Sequence, residues 1–427
     1  MSMRSWASLA SVAVIAGVLG FSGGAARAEV TLEVLYAFPS FARFHEPIAQ
    51  KFQEQHPDIK IEFRAPVPDY DEGHQLMLRQ AITNQLPDIY YSGFHLMREL
   101  ADTLEKRGQI IDLGPLFDAE PAEWRAENYS ETLLALGKVN GKQYGVPFNA
   151  SSPIMYYNRD LVKAAGGDPD NMPSTWNELL DLAKRINDLE GDATGISYDV
   201  QGWPDPWLWE AMILQQGGRM VDENNKVAFG GEEGRRALEV FRRLVDDGGM
   251  MLIEREQSRQ LFQAGKIGIY FESPALMRQM TDMSQGKFEL GSATFPVDNK
   301  ETGGVPTGGN LAVILSQDEA EQKAAWEFIK FATGPEAQTL VVELSGYMPT
   351  NRRALGPDYL GPFYEANPNF KTISEQMDRS RRFGGHRGNA VRLWRAQRDI
   401  INNYMRGNLT PEDALQQLVT ETQALID

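Results

Sequence analysis

Residues 144–166 read YGVPFNASSPIMYYNRDLVKAAG, from Tyr144 to Gly166. A Gly145-Val146-Pro147-Phe148 turn leads into Asn149, Ala150 and two small hydroxyl residues, Ser151 and Ser152. Pro153 to Asn158 predicts a strand carrying two tyrosines, and a helix is predicted from near Arg159 to Gly166-Gly167. Pro147 and Pro153 limit the backbone at both ends of the crossing. Between them, Phe148 to Ser152 is short and polar, able to bend and to hydrogen-bond a ligand. This is a chain leaving one compact unit and starting another. It predicts a two-lobed protein whose cleft is the functional site.

N-terminal to the crossing, Thr31 to Tyr36 alternates as a strand and runs into the loop Ala37-Phe38-Pro39-Ser40. Phe44 to Gln55 predicts a helix, Ile59 to Phe63 a strand, Asp71 to Thr83 a helix and Pro87 to Tyr91 a third strand. Such alternation means βαβ units and a mainly parallel sheet. Ligands bind at the carboxyl ends of strands in sheets of this kind. That rule gathers Phe38, Ser40, Phe41, His45, Arg64, Tyr70, Ser92 and Phe94 near one crevice.

C-terminal to the crossing, Thr175-Trp176-Asn177-Glu178 has capping-box spacing and opens a helix. Gly230 to Asp247 and Gln257 to Ala264 are further helices, and Ile267 to Phe271 is a buried strand leading to Glu272-Ser273. Leu290 to Phe295 is read as a crossing back to the first lobe. Gly304 to Leu315 is read as a turn at Thr307-Gly308-Gly309-Asn310 plus a strand, with a capped helix after it. Gly334-Pro335 starts the next helix, and the C-terminal part is helical. Several crossings fit a hinge rather than two beads on a linker.

Arg4, the apolar run Trp6 to Phe21 and the triplet Ala26-Arg27-Ala28 have the form of a secretory leader at residues 1–28. Cleavage after Ala28 and export to the periplasm are the expectation. The 427 residues contain 0 Cys, which excludes disulfides, thiolate metal sites and cysteine nucleophiles. The formal charge is -17; without Arg4 and Arg27 it becomes 40 minus 59, or -19. An acidic chain of this kind is a poor partner for nucleic acid or an anionic membrane face. The lobes are expected at 29–148 with 296–345, and at 149–295 with 346–427.

Five segments carry a resemblance: PFNASSPIMYYNRDLVKAAG, FQAGKIGIYFESPAL, GGNLAVIL, WEFIKFATGPEAQ and SGYMPTNRRAL. In this order and spacing the chain resembles the extracellular solute-binding proteins of ABC importers. These form a carbohydrate-type group that includes maltose and glycerol-3-phosphate binders. The resemblance implies a type II periplasmic binding protein fold, α/β and hinge-connected, with additional C-terminal helices. It carries over Tyr70, Ser151, Ser273, Gly309 and Tyr347 as pocket residues. Where the glycerol-3-phosphate binders have a glutamate suited to glycerol hydroxyls, this chain has Phe94. The expected C-terminal arginine corresponds to Arg387 or Arg392.

Trp203, Trp207 and Trp209 lie in a Pro-interrupted segment, so at least one indole is expected at a cleft, Trp203 first; the plainer reading puts all three in the core. Arg379, Arg381, Arg382, Arg387 and Arg392 form a basic island, read either as an anion site or as a solvated face. Gly308-Gly309 is either a backbone N–H donor site or a tight turn. Glu272 with Asp69 or Asp71 resembles a glycosidase pair, whose carboxylate separation no sequence shows. The five His, His45, His56, His74, His95 and His386, lack metal-ligand spacing, and His74 and His95 are placed at the surface or pocket rim.

The expected ligand set is Phe38, Ser40, His45, Tyr70, Ser92, Phe94, Ser151, Trp203, Trp207, Ser273, Gly309, Asn310, Tyr347, Arg387 and Arg392. The expected role is capture of a sugar, polyol or related small solute and its delivery to permease subunits with their ATPase. No catalytic residue, metal or cofactor is expected, and the chain is expected to be a monomer. A glycerol-phosphate-type anion is the second ligand class. A secreted glycosidase or esterase and a chemosensing receptor are the rival roles.

Overall fold

The computed structural model describes residues 29–384 and 390–426. The leader and Arg387 therefore lie outside the described residues. Twelve strands are described: β1 (Val30–Leu35), β2 (Ile59–Phe63), β3 (Ile89–Gly93), β4 (Lys138–Val139), β5 (Lys142–Gln143), β6 (Gly145–Ser151), β7 (Ile154–Asn158), β8 (Thr194–Ser197), β9 (Ile267–Glu272), β10 (Leu290–Ala293), β11 (Val305–Ile314) and β12 (Ser380–Arg382). They build two larger sheets and the small β4–β5 hairpin.

The first sheet runs β12-β11-β3-β1-β2, with β6 also on β11. β1 is parallel to β2 and β3, as the βαβ reading requires. The crossover helix Ala42–Gln55 buries Phe44, His45, Ile48, Ala49 and Phe52 at helical spacing. The other, Tyr70–Thr83, starts where the Asp69 side chain accepts from the Glu72 amide. β11 reverses the direction, antiparallel to both β3 and β6.

The second sheet runs β10-β7-β9-β8. Every residue of β7 and β9 is buried, so both faces of these strands are covered. Trp176, Tyr198, Phe271 and Phe295 form the ring cluster at its centre, with Trp176 stacked 5.2 Å from Phe271. Helices Ala390–Met405 and Pro411–Ile426 pack on each other and on Glu232–Asp246, so these C-terminal helices enlarge the second lobe.

Several local expectations change. The expected Gly145 to Phe148 turn, and the crossing as far as Ser151, are the buried strand β6, held by its pairing with β11. Thr307 to Asn310 is not a turn; it lies inside β11, where the register shifts between Asn310 and Leu311. Gly309 has φ +115°, so this is a bulge in a continuous strand. Thr175 and Glu178 bond to each other at 2.9 Å, without a reciprocal capping box, and the Trp176 amide donates to the Asp298 carboxylate. A full box forms instead at Glu254 and Gln257, so that helix spans Arg255–Gln263 and begins before Gln257. Leu290 to Ala293 is β10, paired with β7 inside the second sheet, and the return crossing follows it.

The crossings lie side by side. β6 stays in the first sheet to Ser151, and β7 joins the second from Ile154. Gln376 ties them, donating to Ser152 Oγ and the Pro153 carbonyl while accepting from the Phe295 amide. Tyr347 packs edge-on against Phe41 and Phe44, and residues 348–351 hydrogen-bond to Ala150, Gln338 and Asn128. Asn149 to Ser151 and residues 347–351 therefore sit with the first sheet and not with the expected second lobe.

Candidate functional site

Between the two sheets lies a cleft walled largely by rings. The first-lobe wall comes from the loop after β1 and the start of helix Tyr70–Thr83. Phe38 sits at φ 64°, a strained conformation for a side chain of this size. Its ring meets Tyr70 edge-on at 4.9 Å and Phe41 at 5.1 Å. Tyr70 Oη accepts from Asn310 Nδ2 at 3.1 Å and is hydrogen-bonded to the Tyr347 hydroxyl. Burial, followed by the Tyr347 neighbour, holds the Tyr70 pKa well above that of a free phenol. Burial raises that of Tyr347 also. Both phenols therefore stay neutral.

The second-lobe wall is Trp203 and Trp207, with ring centroids 5.2 Å apart. Pro204 and Pro206 delay the helix until Trp207–Leu214, which leaves both indoles at the cleft. Trp209, in that helix, is fully buried against Phe229 and Phe241. Trp207 Nε1 donates to the Pro306 carbonyl of β11 at 3.0 Å, joining the lobes. Gly308 permits this approach, since a Cβ there would stand 2.9 Å from Trp207 Nε1. Trp394 Nε1 donates to the Trp203 carbonyl at 3.0 Å.

Over the Trp203 ring lies Arg255, the first residue of its helix and itself at the cleft wall, with its guanidinium carbon 4.1 Å from the indole centroid. Glu272, fully buried at the end of β9, accepts from Arg255 Nε at 2.9 Å and Nη2 at 2.8 Å. It also accepts from Tyr270 Oη and the Ser273 amide. Arg259, one turn on, reaches the wall and pairs with Glu256. Ser151, Ser273 and Gly309 also line it.

One end of the cleft is titratable. His95 Nε2 stands 3.4 Å from Asp71 Oδ1, and its ring lies 4.7 Å from Phe383. Burial lowers the His95 pKa, but the Asp71 hydrogen bond and the Asp205, Asp71 and Glu210 charges outweigh it, so the net shift is upward. Asp205 is pushed up to about 6 by burial, against the opposing charge of His95. Glu210 is pushed up to about 8 by burial, although it accepts from the Gly384 amide at 3.0 Å.

Phe38, Ser40, Tyr70, Ser151, Trp203, Trp207, Ser273, Gly309 and Tyr347 share this wall. His45, Ser92, Phe94, Asn310 and Arg392 stand elsewhere. His45 turns inward from its helix, stacked on Tyr36 at 4.2 Å and Phe148 at 5.0 Å, and burial drops its pKa to about 3. Ser92 is buried inside β3, and Phe94 packs in the core with Met97 and Leu100. Asn310 is buried one shell back, holding Tyr70. Arg392 is exposed on helix Ala390–Met405. The sequence reading did not single out Arg255, Arg259, Asp205 or Phe383 as wall residues. Arg255 and Arg259 look like a solvated face, and only the capping box at Glu254 and Gln257 marks where that helix turns into the cleft.

Chemically, the wall offers flat rings for C–H faces, neutral phenol and serine hydroxyls, and guanidinium donors. Glu272, a member of the glycosidase-like pair, is occupied by four donors, and Asp69 caps a helix. Among the described residues no group of three or more His, Asp or Glu side chains could hold a metal ion.

Residues 38–339 match the family model described as bacterial extracellular solute-binding protein. A putative binding protein of Brucella abortus (strain 2308) is 24% identical, with 100% of both chains covered. The sn-glycerol-3-phosphate-binding periplasmic protein of Escherichia coli (strain K12) is 23% identical, with 89% of each chain covered. Among solved structures, the cyclic alpha-maltosyl-1,6-maltose binding protein of Arthrobacter globiformis superposes with a TM-score of 0.77 at 24% identity. That match covers 93% of this chain and 99% of the other.

Proposed function

The chain belongs to the bacterial extracellular solute-binding proteins, and we propose that it captures a sugar or polyol in this cleft for an ABC importer. One observation carries the ligand class: Trp203 and Trp207 of one lobe face Phe38, Tyr70 and Tyr347 of the other, with small hydroxyls at Ser151 and Ser273. Rings on both sides match the two C–H faces of a pyranose, and neutral hydroxyls match its rim.

The mechanism is a shift between open and closed states. A solute touching both walls binds the closed form better and moves the population toward it. The closed form is then the one presented to the permease subunits and their ATPase. No bond is broken, the chain acts as a monomer, and residues 1–28 direct export to the periplasm before removal after Ala28. The names of the maltosyl-maltose and glycerol-3-phosphate binders fit the same role.

A thermal-shift screen of sugars, polyols and phosphate esters, followed by calorimetric titration of any hit, tests this reading. One solute bound per chain without turnover supports it. Turnover of a chromogenic glycoside or ester supports the enzyme rival instead.

A further inference from the structure

A saccharide binder and a phosphate-ester binder need different charge at the cleft. Arg255 and Arg259 are the guanidinium groups on the described wall. Arg259 is paired with Glu256. Arg255 is paired side-on with Glu272, which is wholly withdrawn from solvent. The other described charges at the cleft are Asp205, with Asp71 and Glu210 around His95. The described wall thus holds no guanidinium without a carboxylate partner.

The Arg255 pairing also leaves its donors divided. Nε and one Nη2 hydrogen are committed to Glu272, whereas no hydrogen bond uses Nη1 among the described residues. The same guanidinium lies over the Trp203 ring, its carbon 4.1 Å from the centroid. A planar ion held at two points by a buried acceptor has little freedom, so it fixes the indole plane that borders the cleft.

We propose that Arg255 is a specificity-determining residue: it sets the Trp203 indole and offers Nη1 to a solute oxygen, while Glu272 cancels its charge so that the cleft selects an uncharged, hydroxylated solute over a phosphate ester. This rests on the proposed role in solute capture and narrows its ligand class. Removing the Glu272 charge while keeping its shape should convert the same guanidinium into an anion site.

The experiment compares wild type, Glu272→Gln and the double variant Arg255→Met with Glu272→Gln. The double variant removes both charges, so no buried ion is left unpaired if either single change unfolds the chain. The probe is sn-glycerol-3-phosphate by calorimetry, and the ligand-free readout is the near-ultraviolet circular dichroism of the close Trp203–Trp207 pair. The expected results are weak or unmeasurable binding by wild type and at least about tenfold tighter binding by Glu272→Gln. The double variant should lose at least half of the dichroic signal that Trp203→Phe removes, with its thermal midpoint retained. Tight binding by wild type, no gain in Glu272→Gln, or an unchanged dichroic signal in the folded double variant would each overturn the proposal. Because the dichroic arm uses no ligand, failure to find any bound sugar would count against the capture role and leave the Arg255 assignment to be decided separately.

Discussion

Arg43 Nη2, on the first lobe, donates to the Ala275 carbonyl oxygen on the second at 2.9 Å. The donor comes from the helix Ala42–Gln55 and the acceptor from the turn after β9. Arg278 makes a parallel link, from its backbone amide to the Ser345 carbonyl and from Nε to the Glu343 carbonyl. These bonds bridge the two lobes, and under the proposed shift between open and closed states they favour the closed one.

Arg43→Met should therefore weaken solute binding without unfolding either lobe. A hydrogen bond from a charged group contributes about 1.5–3 kcal/mol, which sets the expected loss at roughly tenfold or more in affinity. Calorimetric titration with a saccharide found by thermal shift checks it; equal affinity in the two proteins would count against this bond as a closing contact.

Gly309→Ala should destabilise the first lobe. At φ +115° the new Cβ would stand 2.4 Å from the Asn149 carbonyl oxygen. Backbone in that region is strained for any L side chain, at about 1–3 kcal/mol, and the clash adds to it. The Asn310 amide, which donates to Asn149 Oδ1 at 2.9 Å, would be displaced with it. Chemical denaturation should show the loss, and an unchanged midpoint would contradict the bulge geometry.

Sequence patterns reached the sheets because hydrophobic spacing survives in each segment alone. β1, β2 and their crossover helices are legible in alternation and helical stripes, whereas the crossing expected over Phe148 to Ser152 is narrower: Pro147 to Ser151 belong to β6, and only Ser152-Pro153 lies between the two sheets. Tyr70, Ser151, Ser273, Gly309 and Tyr347 came through the resemblance, and Trp203 and Trp207 through the prolines beside them. His45 shows what spacing misses: lying after a strand end places a residue near a crevice, but helical phase decides which way it points. Arg255 was hidden for another reason. Its partner Glu272 is distant in sequence, so only the fold brings the charge and its compensation together.

Stability should fall as pH rises from 6.5 to 8.5, partly through Glu210. Its folded value of about 8 lies above the ordinary carboxyl value near 4.3. Between these values the folded form holds a proton that the unfolded chain has released, so stability decreases with pH until Glu210 ionises. Asp199, pushed up to about 7 by burial, acts with the same sign. His45, with its lowered value of about 3, acts oppositely but below this window. Glu210→Gln should flatten part of the fall in thermal midpoint; parallel profiles in the two proteins would rule out Glu210 as the source.

The facing aromatic walls are tested most directly by thermal unfolding across a panel of neutral saccharides and polyols. Wild type, Trp203→Ala and Tyr347→Ala would be run side by side. If the cleft holds a sugar between Trp203 and Tyr347, at least one compound raises the wild-type midpoint and has a clearly smaller effect on both variants. A compound that stabilises all three proteins equally, or no stabilising compound in the panel, would contradict it.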